Sequence, residues 1–459
     1  MTRRNFIASA ASAAALRAAP PAKPNILIIT TDQQFAESAS YRIGKQFIHT
    51  PNMDSLAAQG MVFTRAYCAN PLCVPSRASM FTGRYPTETG VMDNDDRTKV
   101  HLDPQKFPLM GKMFKDAGYE TAYFGKWHLP LLEKETATHG FSTYDTKMDD
   151  PQTAANVAAF LKAKHDAPFL MMASFLNPHN IAEWSRGQKL PLGEVGQPPP
   201  VEQLPPLRPN HQPQENEPDI VSLIRRSYQT APMFPVGNFD EIKWRQYIWA
   251  YYRLIEKADR EIGKVLQALR DTGLDKSTLV VLSADHGECQ GSHGWNQKTI
   301  LYEEATRVQF VMSLPGVVKQ GTSQRLVNTG IDLIPTICDY AGITPPPNLP
   351  GLSLKATANG GSSKDPRPYV VVSDRLIQGA PIEGRLPTPD GRMLRGQQYK
   401  YCAYSEGVHR ESLVDLDNDP GEMKNLALEP KFAGVLKEHR AMLADWCLKT
   451  GDSFTVPKP

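Results

Sequence analysis

The sequence predicts an α/β protein: a mixed, mostly parallel sheet flanked by helices, with a small carboxy-terminal α+β subdomain. Three observations predict it. Four short apolar runs rich in β-branched residues each end in a polar tail of Asp, Lys or His, as strands of an open α/β sheet do where ligands bind. Stretches of helical period separate those runs. From about residue 359 the composition shifts to Gly, Ser, Pro and Asp, which marks a boundary. At 459 residues the chain exceeds the usual size of one domain, so a main domain over 23–357 and a subdomain over 358–459 are expected.

The first residues belong to neither. Thr2-Arg3-Arg4-Asn5-Phe6-Ile7, an Ala/Ser-rich run to Leu16 and then Arg17-Ala18-Ala19-Pro20 read as a twin-arginine signal peptide over 1–22. Its apolar part is too short to persist as a membrane anchor, and no later run is long enough for stable membrane insertion. The expected partner is the twin-arginine export machinery, and the expected location is the periplasm or outside of a bacterium.

Asn25 to Thr30 reads as a central strand buried on both faces, with Asp32 and Gln33 just past its end. Tyr119 to Phe124 leads into Gly125-Lys126-Trp127-His128. Pro168 to Phe175 leads into Asn177-Pro178-His179, and Ser277 to Ser283 runs into Asp285-His286-Gly287-Glu288. Helices are expected over Phe107–Ala117, Asp150–Lys164 and Phe239–Arg270, the last from the apolar stripe Ile248, Tyr252, Ile255, Ile262, Val265, Leu266 and Leu269. Ser185 to Asn238 is dense in Pro, Gln and Asn, without sustained periodicity, and reads as either a functional loop or a disordered insert. In the subdomain, Tyr369–Val372, Arg392–Arg395 and Tyr399–Tyr404 are short strands and Phe432–Leu448 is a helix.

Charge excludes some functions. With 51 basic against 49 acidic residues the net charge is +2, so nothing drives the chain generally toward nucleic acid or anionic lipid, and any anion chemistry is local. The six cysteines form no CxxC pair, so neither a zinc site nor a disulfide framework is signalled.

The chemistry gathers around Cys73-Val74-Pro75-Ser76-Arg77. A thiol two residues before a helix-opening proline, with Ser76, Arg77 and Arg84 following, outlines a nucleophile in an anion-binding helix start. Asp32-Gln33 and Asp285-His286 sit at two strand ends that can converge, and three oxygen groups with one imidazole suffice for one divalent cation. Calcium is the first expectation, and the imidazole makes manganese or zinc the next. Lys126 and Lys298 are compact ammoniums suited to a nonbridging oxygen, and His128 and His179 are of the residue type whose ordinary titration near neutrality suits protonation of a leaving oxygen. His293 and Asn94 are weaker candidates, for the pocket mouth and for the neighbourhood of the nucleophile.

Cys73-Val74-Pro75-Ser76-Arg77 followed by Thr82-Gly83-Arg84 resembles the signature of the type I, formylglycine-dependent sulfatases of the alkaline phosphatase superfamily. Leu413 to Glu422 resembles their carboxy-terminal subdomain. The resemblance implies an alkaline-phosphatase-like fold and conversion of Cys73 to formylglycine (3-oxoalanine) by a formylglycine-generating or anaerobic maturation enzyme. It further implies a metal held by Asp32, Gln33, Asp285, His286 and the modified residue 73, with Arg77 beside the nucleophile and Lys126, His128, His179 and Lys298 around the sulfate. The activity implied is hydrolysis of a small-molecule or oligosaccharide sulfate ester, here a sulfated sugar. Asp-Gln and Asp-His depart from the common Asp-Asp and Asp-Asn pairs and resemble choline-sulfatase and phosphonate monoester hydrolase relatives. Hydrolysis of phosphonate monoesters or phosphodiesters is therefore the alternative activity, and a binding protein with unmodified Cys73 is the alternative of another class.

Overall fold

Asn25–Asp32 carries apolar side chains on both faces, and a strand can bury both only inside a layered sheet. It forms β1 (Asn25–Asp32) of the structure, a computed structural model that describes residues 23–362, 367–377 and 379–458. The signal expected over 1–22 lies outside the described residues. Ile26 and Ile28 enter one core with Val74, Phe81, Leu333 and Ile337, while Leu27 and Ile29 enter another with Ile248, Leu254, Ile262 and Val265. All four strand residues are fully buried, each stabilising the fold by roughly 1.5–3 kcal/mol.

β2 (Met61–Tyr67), β3 (Glu120–Gly125), β4 (Thr143–Asp145), β5 (Phe169–Pro178), β6 (Thr278–Ala284), β7 (Phe310–Ser313) and β8 (Gly321–Asn328) complete the sheet in the order β4-β3-β5-β1-β6-β7-β2-β8. β3, β5, β1 and β6 are adjacent and parallel, so their carboxyl ends leave by one edge. β7 runs against both β6 and β2. Two antiparallel pairings in succession make β2 parallel to β6, so the chain leaving Tyr67 toward Cys73 arrives at that same edge. The mixed, mostly parallel sheet is the one expected, although β2, β4, β7 and β8 were not.

The longer helices are α1 (Pro51–Gln59), α2 (Cys73–Thr82), α3 (Met110–Asp116), α4 (Asp150–Lys162), α5 (Asp219–Thr230), α6 (Glu241–Asp271), α7 (Thr329–Ala341) and α8 (Ala433–Thr450). α1, α4 and α6 cover the Leu27/Ile29 face, and α2, α3 and α7 cover the other. α6 opens where Asp240 Oδ1 accepts the Lys243 N–H at 2.7 Å and closes before Gly273, whose φ of 71° suits a helix end. α3 starts later than expected because Pro108 disfavours helical geometry at Phe107. The larger correction is α5, inside the segment expected to be irregular. Ile220, Val221, Ile224 and Tyr228 make a buried stripe of helical spacing, too brief to stand out from its Pro- and Gln-rich surroundings.

A second, antiparallel sheet holds β9 (Val370–Arg375), β10 (Asp390–Arg395), β11 (Tyr399–Tyr404) and β12 (Glu411–Asp415) in the order β12-β11-β10-β9. α8 packs Leu443 and Trp446 with Tyr401, Leu394 and Leu413 of that sheet. This is the small α+β unit expected.

Candidate active site

Cys73 is the first residue of α2 and is 1% exposed. Its sulfur lies 3.0 Å from Lys298 Nζ, 3.2 Å from His286 Nε2 and 3.9 Å from both Lys126 Nζ and Asp32 Oδ1. Burial pushes the thiol up, but the Lys126, Lys298 and His286 charges outweigh burial and hold it well below the ordinary range.

The two predicted ligand pairs meet. Asp32 Oδ1 and Asp285 Oδ1 each lie 3.7 Å from His286 Nε2, and one ligand atom from each of Asp32, Cys73, Asp285 and His286 lies within 4.8 Å of all the others. His286 Nδ1 is 3.0 Å from the Gly287 carbonyl oxygen, so a proton there turns Nε2 toward the cluster, where a cation would take the place of its second proton. Gln33 takes a left-handed φ of 68°, donates its N–H to Asp285 Oδ1 at 3.1 Å and accepts from Lys298 Nζ through Oε1 at 2.8 Å. Two carboxylates, an amide oxygen and an imidazole, all buried, fit a divalent cation.

Arg77 sits one helical turn after Cys73 and is almost fully buried. Its Nε donates to Asp285 Oδ2 at 2.9 Å, its Nη1 donates to the Lys126 carbonyl and Ser174 Oγ at 2.9 Å, and its Nη2 lies 3.6 Å from Asp32 Oδ2. Lys126 donates to Asp32 Oδ2. Burial raises the Asp32 carboxyl, yet the Lys126 and Lys298 ammoniums hold it well below the usual range. Lys126 is placed by Gly125, whose φ is 99° and whose hydrogens face the Ser174 carbonyl that accepts the Lys126 N–H at 2.9 Å. A Cβ would run into that carbonyl, so Gly125→Ala is expected to destabilise the fold by about 1–3 kcal/mol and to lower kcat by displacing Lys126. Chemical denaturation together with steady-state rates checks this, and a variant equal to wild type in both refutes it.

His128 and His179 flank the cluster. Burial and the Lys126 ammonium lower both imidazoles, His179 more strongly, so both rest neutral. The β5 end that carries His179 is tied down by Asp150, which accepts the Leu176 N–H at 2.6 Å, the Asn177 N–H at 3.1 Å and the Asn177 side chain at 2.8 Å. A cleft of about 790 Å³ opens beside His128, with Arg97, Lys99, His101 and Lys134 in its walls, as well as Glu133 and Glu135.

A sequence profile with the description Sulfatase matches residues 24–343, and one described as N-sulphoglucosamine sulphohydrolase, C-terminal, matches 291–448. The chain belongs to the sulfatase family. A Delta 4,5-hexuronate-2-O-sulfatase of Bacteroides thetaiotaomicron is 34% identical over 94% of this chain and 90% of its own length. A solved 2-O GAG sulfatase superposes with a TM-score of 0.81 at 31% identity, covering 95% of both chains. A phosphonate monoester hydrolase of Agrobacterium radiobacter shares the fold, with a TM-score of 0.71 at 20% identity over 93% of this chain and 96% of that one. With a buried cluster able to hold a metal ion, this sulfatase-family chain is a hydrolase. Among the described residues no helix is long and apolar enough to cross a membrane.

In this sulfatase-family site the structure brings Cys73, Arg77, Lys126, His128, His179, Lys298, Asp32, Gln33, Asp285 and His286 to one sheet edge. Arg84 does not join them. It bonds Glu88 and the Pro347 and Asn348 carbonyls at the far end of α2. His293 is not at a pocket mouth but buried, stacked on Tyr302 with ring centroids 3.8 Å apart. With Glu304 and Glu422 it forms a second acidic group, already neutralised by Lys400 at 2.8 Å and Arg208 at 3.4 Å. Asn94 accepts the Val74 N–H at 3.0 Å, and Ser76 donates to the Asp285 carbonyl, so both serve the helix start. Sequence reasoning missed Asp150, Ser174 and Glu288. Only Asp150 carried a signal, an acid pair before Pro151 at a helix start.

Proposed function

We propose that this enzyme hydrolyses a sulfate ester on an acidic carbohydrate, using a formylglycine formed from Cys73 and one divalent cation held by Asp32, Gln33, Asp285 and His286. The observation that carries it is the placement of Cys73, with two lysines, Asp32 and His286 within 4 Å of its sulfur and Asp285 within 4.8 Å. The 34% identity to a hexuronate-2-O-sulfatase supports the sugar, and the basic residues of the cleft beside His128 support an acidic one.

Calcium is the proposed cation, with manganese or zinc next because of His286. Bound there, a divalent cation supplies Lewis acidity that lowers the pKa of a hydroxyl on residue 73. The chain's own groups do the rest. One hydroxyl of the hydrated aldehyde attacks sulfur, its oxygen–sulfur bond forming as the ester oxygen leaves with the alcohol. Lys126 and Lys298 hold the nonbridging oxygens, and Arg77 keeps Asp32 and Asp285 in place. Burial and the lysines leave His179 neutral at rest. The bound anion offsets those lysines, so His179 takes up a proton from solvent, matching the one the attacking hydroxyl releases to solvent, and donates it to the leaving oxygen. The second hydroxyl gives up its proton to water as the carbonyl re-forms and the carbon–oxygen bond to sulfate breaks, and addition of water then restores the hydrated aldehyde. The first 22 residues are proposed as the twin-arginine signal, with maturation of Cys73 preceding export.

The Asp-Gln and Asp-His pairs favour a second reading, hydrolysis of phosphonate monoesters or phosphodiesters by the same modified residue. Side-by-side kcat/KM on a 2-O-sulfated unsaturated uronyl disaccharide, an aryl sulfate and an aryl phosphonate decides it. The sulfated disaccharide is expected to lead by about 100-fold or more, a differential of about 3 kcal/mol in transition-state binding. A lead for the phosphonate overturns the sulfatase reading, and an equal rate on the aryl sulfate overturns the carbohydrate.

A further inference from the structure

Gln33 is an unusual ligand because an amide has two dissimilar ends. Turned one way it offers an oxygen to a cation, and turned the other it offers two N–H donors that repel one. Something must choose. Gln33 Nε2 donates at 2.6 Å to Glu288 Oε2, and Lys298 Nζ donates at 2.8 Å to Gln33 Oε1, so both neighbours demand the same orientation. The Gln33 carbonyl is fixed separately by the Tyr251 hydroxyl at 2.7 Å.

Glu288 is well placed to impose the choice. It is fully buried, and its other oxygen accepts from Tyr247 Oη at 2.9 Å, Gln290 N at 3.1 Å and Gln297 N at 2.6 Å. One carboxylate thus ties the end of β1 to α6 and to the loop that delivers Lys298.

We infer that Glu288 is a positioning residue that holds the Gln33 amide oxygen toward the cation site and sets the Gln33–Lys298 spacing. This rests on the reading of Gln33 as a metal ligand. Groups that orient metal ligands from behind typically change affinity by about 10–100-fold when removed. The reciprocal pair makes a sharp test. Gln33→Glu sets two carboxylates against each other, Glu288→Gln offers an amide that can turn Gln33 around, and the double variant Gln33→Glu/Glu288→Gln restores one donor facing one acceptor.

Affinity for calcium and manganese, measured by competition with a fluorescent chelator, reads the effect without turnover. Each single variant is expected to bind about 10-fold or more weakly, and the double variant to bind more tightly than either. Tyr247→Phe removes a different Glu288 partner and leaves the Gln33 contact. It is expected to lower thermal stability while keeping the metal affinity of wild type. Equal affinity across wild type and the three Gln33/Glu288 variants overturns the inference, as does a loss in Tyr247→Phe as large as in Glu288→Gln. Wild type that binds neither cation instead overturns the metal reading beneath it.

Discussion

Cys73→Ser is expected to lower multiple turnover by about a thousandfold or more while leaving the fold intact, since a nucleophile that acts as a unit with its neighbours carries most of the rate. The sulfur occupies an enclosed position, and a hydroxyl is smaller than the thiol it replaces. What serine lacks is the second oxygen. A hydrated aldehyde has two hydroxyls on one carbon, so after one is sulfated the other can re-form the carbonyl and expel sulfate. A serine sulfate has no such route and must wait for water. The single-turnover product is therefore a trapped adduct, seen by intact-mass measurement after exposure to substrate. Wild type from a host with the maturation enzyme is expected to show a Cys73 peptide about 18 Da lighter than the thiol, whereas a host without it leaves an inactive thiolate. Rapid multiple turnover by Cys73→Ser, or full activity with an unmodified thiol, defeats the formylglycine reading.

The strands that carry the site were legible for a physical reason. β1, β3, β5 and β6 are buried on both faces and adjacent, so each reads as a continuous apolar run ending abruptly in Asp, Lys or His. β7 has four residues and the first half of β8, Gly321-Thr322-Ser323-Gln324, is largely exposed, so neither had a run to read. The ligand pairs were legible because strand ends converge by topology. Arg84 misled because nearness in sequence is not nearness along a helix: α2 is ten residues long, about 15 Å, and Arg84 lies beyond its far end. Glu288 stands two residues after His286 yet declares no role in sequence, because nothing local says that a loop glutamate is buried with four donors around it. Its neighbours Gln33, Tyr247 and Gln297 are spread over much of the chain, and only the assembled fold brings them together.

Arg77 is where stability and chemistry depend on the same side chain. Its guanidinium reaches Asp285, Asp32, Ser174 and the Lys126 carbonyl at once from a position closed to water. Arg77→Ala leaves two buried carboxylates with less compensation, and breaking a buried pair in this way costs about 3–5 kcal/mol. Arg77→Lys keeps the charge but loses the planar fork, and one ammonium cannot reach partners on opposite sides of the site. Both variants are expected to lower unfolding free energy, alanine more than lysine, and to lower kcat by about 100-fold or more as Asp32, Asp285 and Lys126 shift. A saturating divalent cation separates the causes. A cation that binds the folded state between Asp32 and Asp285 supplies the positive charge that was removed, so it is expected to stabilise Arg77→Ala more than it stabilises wild type. The activity loss remains, because the cation does not restore the hydrogen bonds that hold Lys126 and Ser174. Denaturation with and without calcium, beside steady-state rates on the same samples, reads both quantities. If Arg77→Lys equals wild type in each, the guanidinium is only a charge, and the multi-partner geometry is not what organises the site.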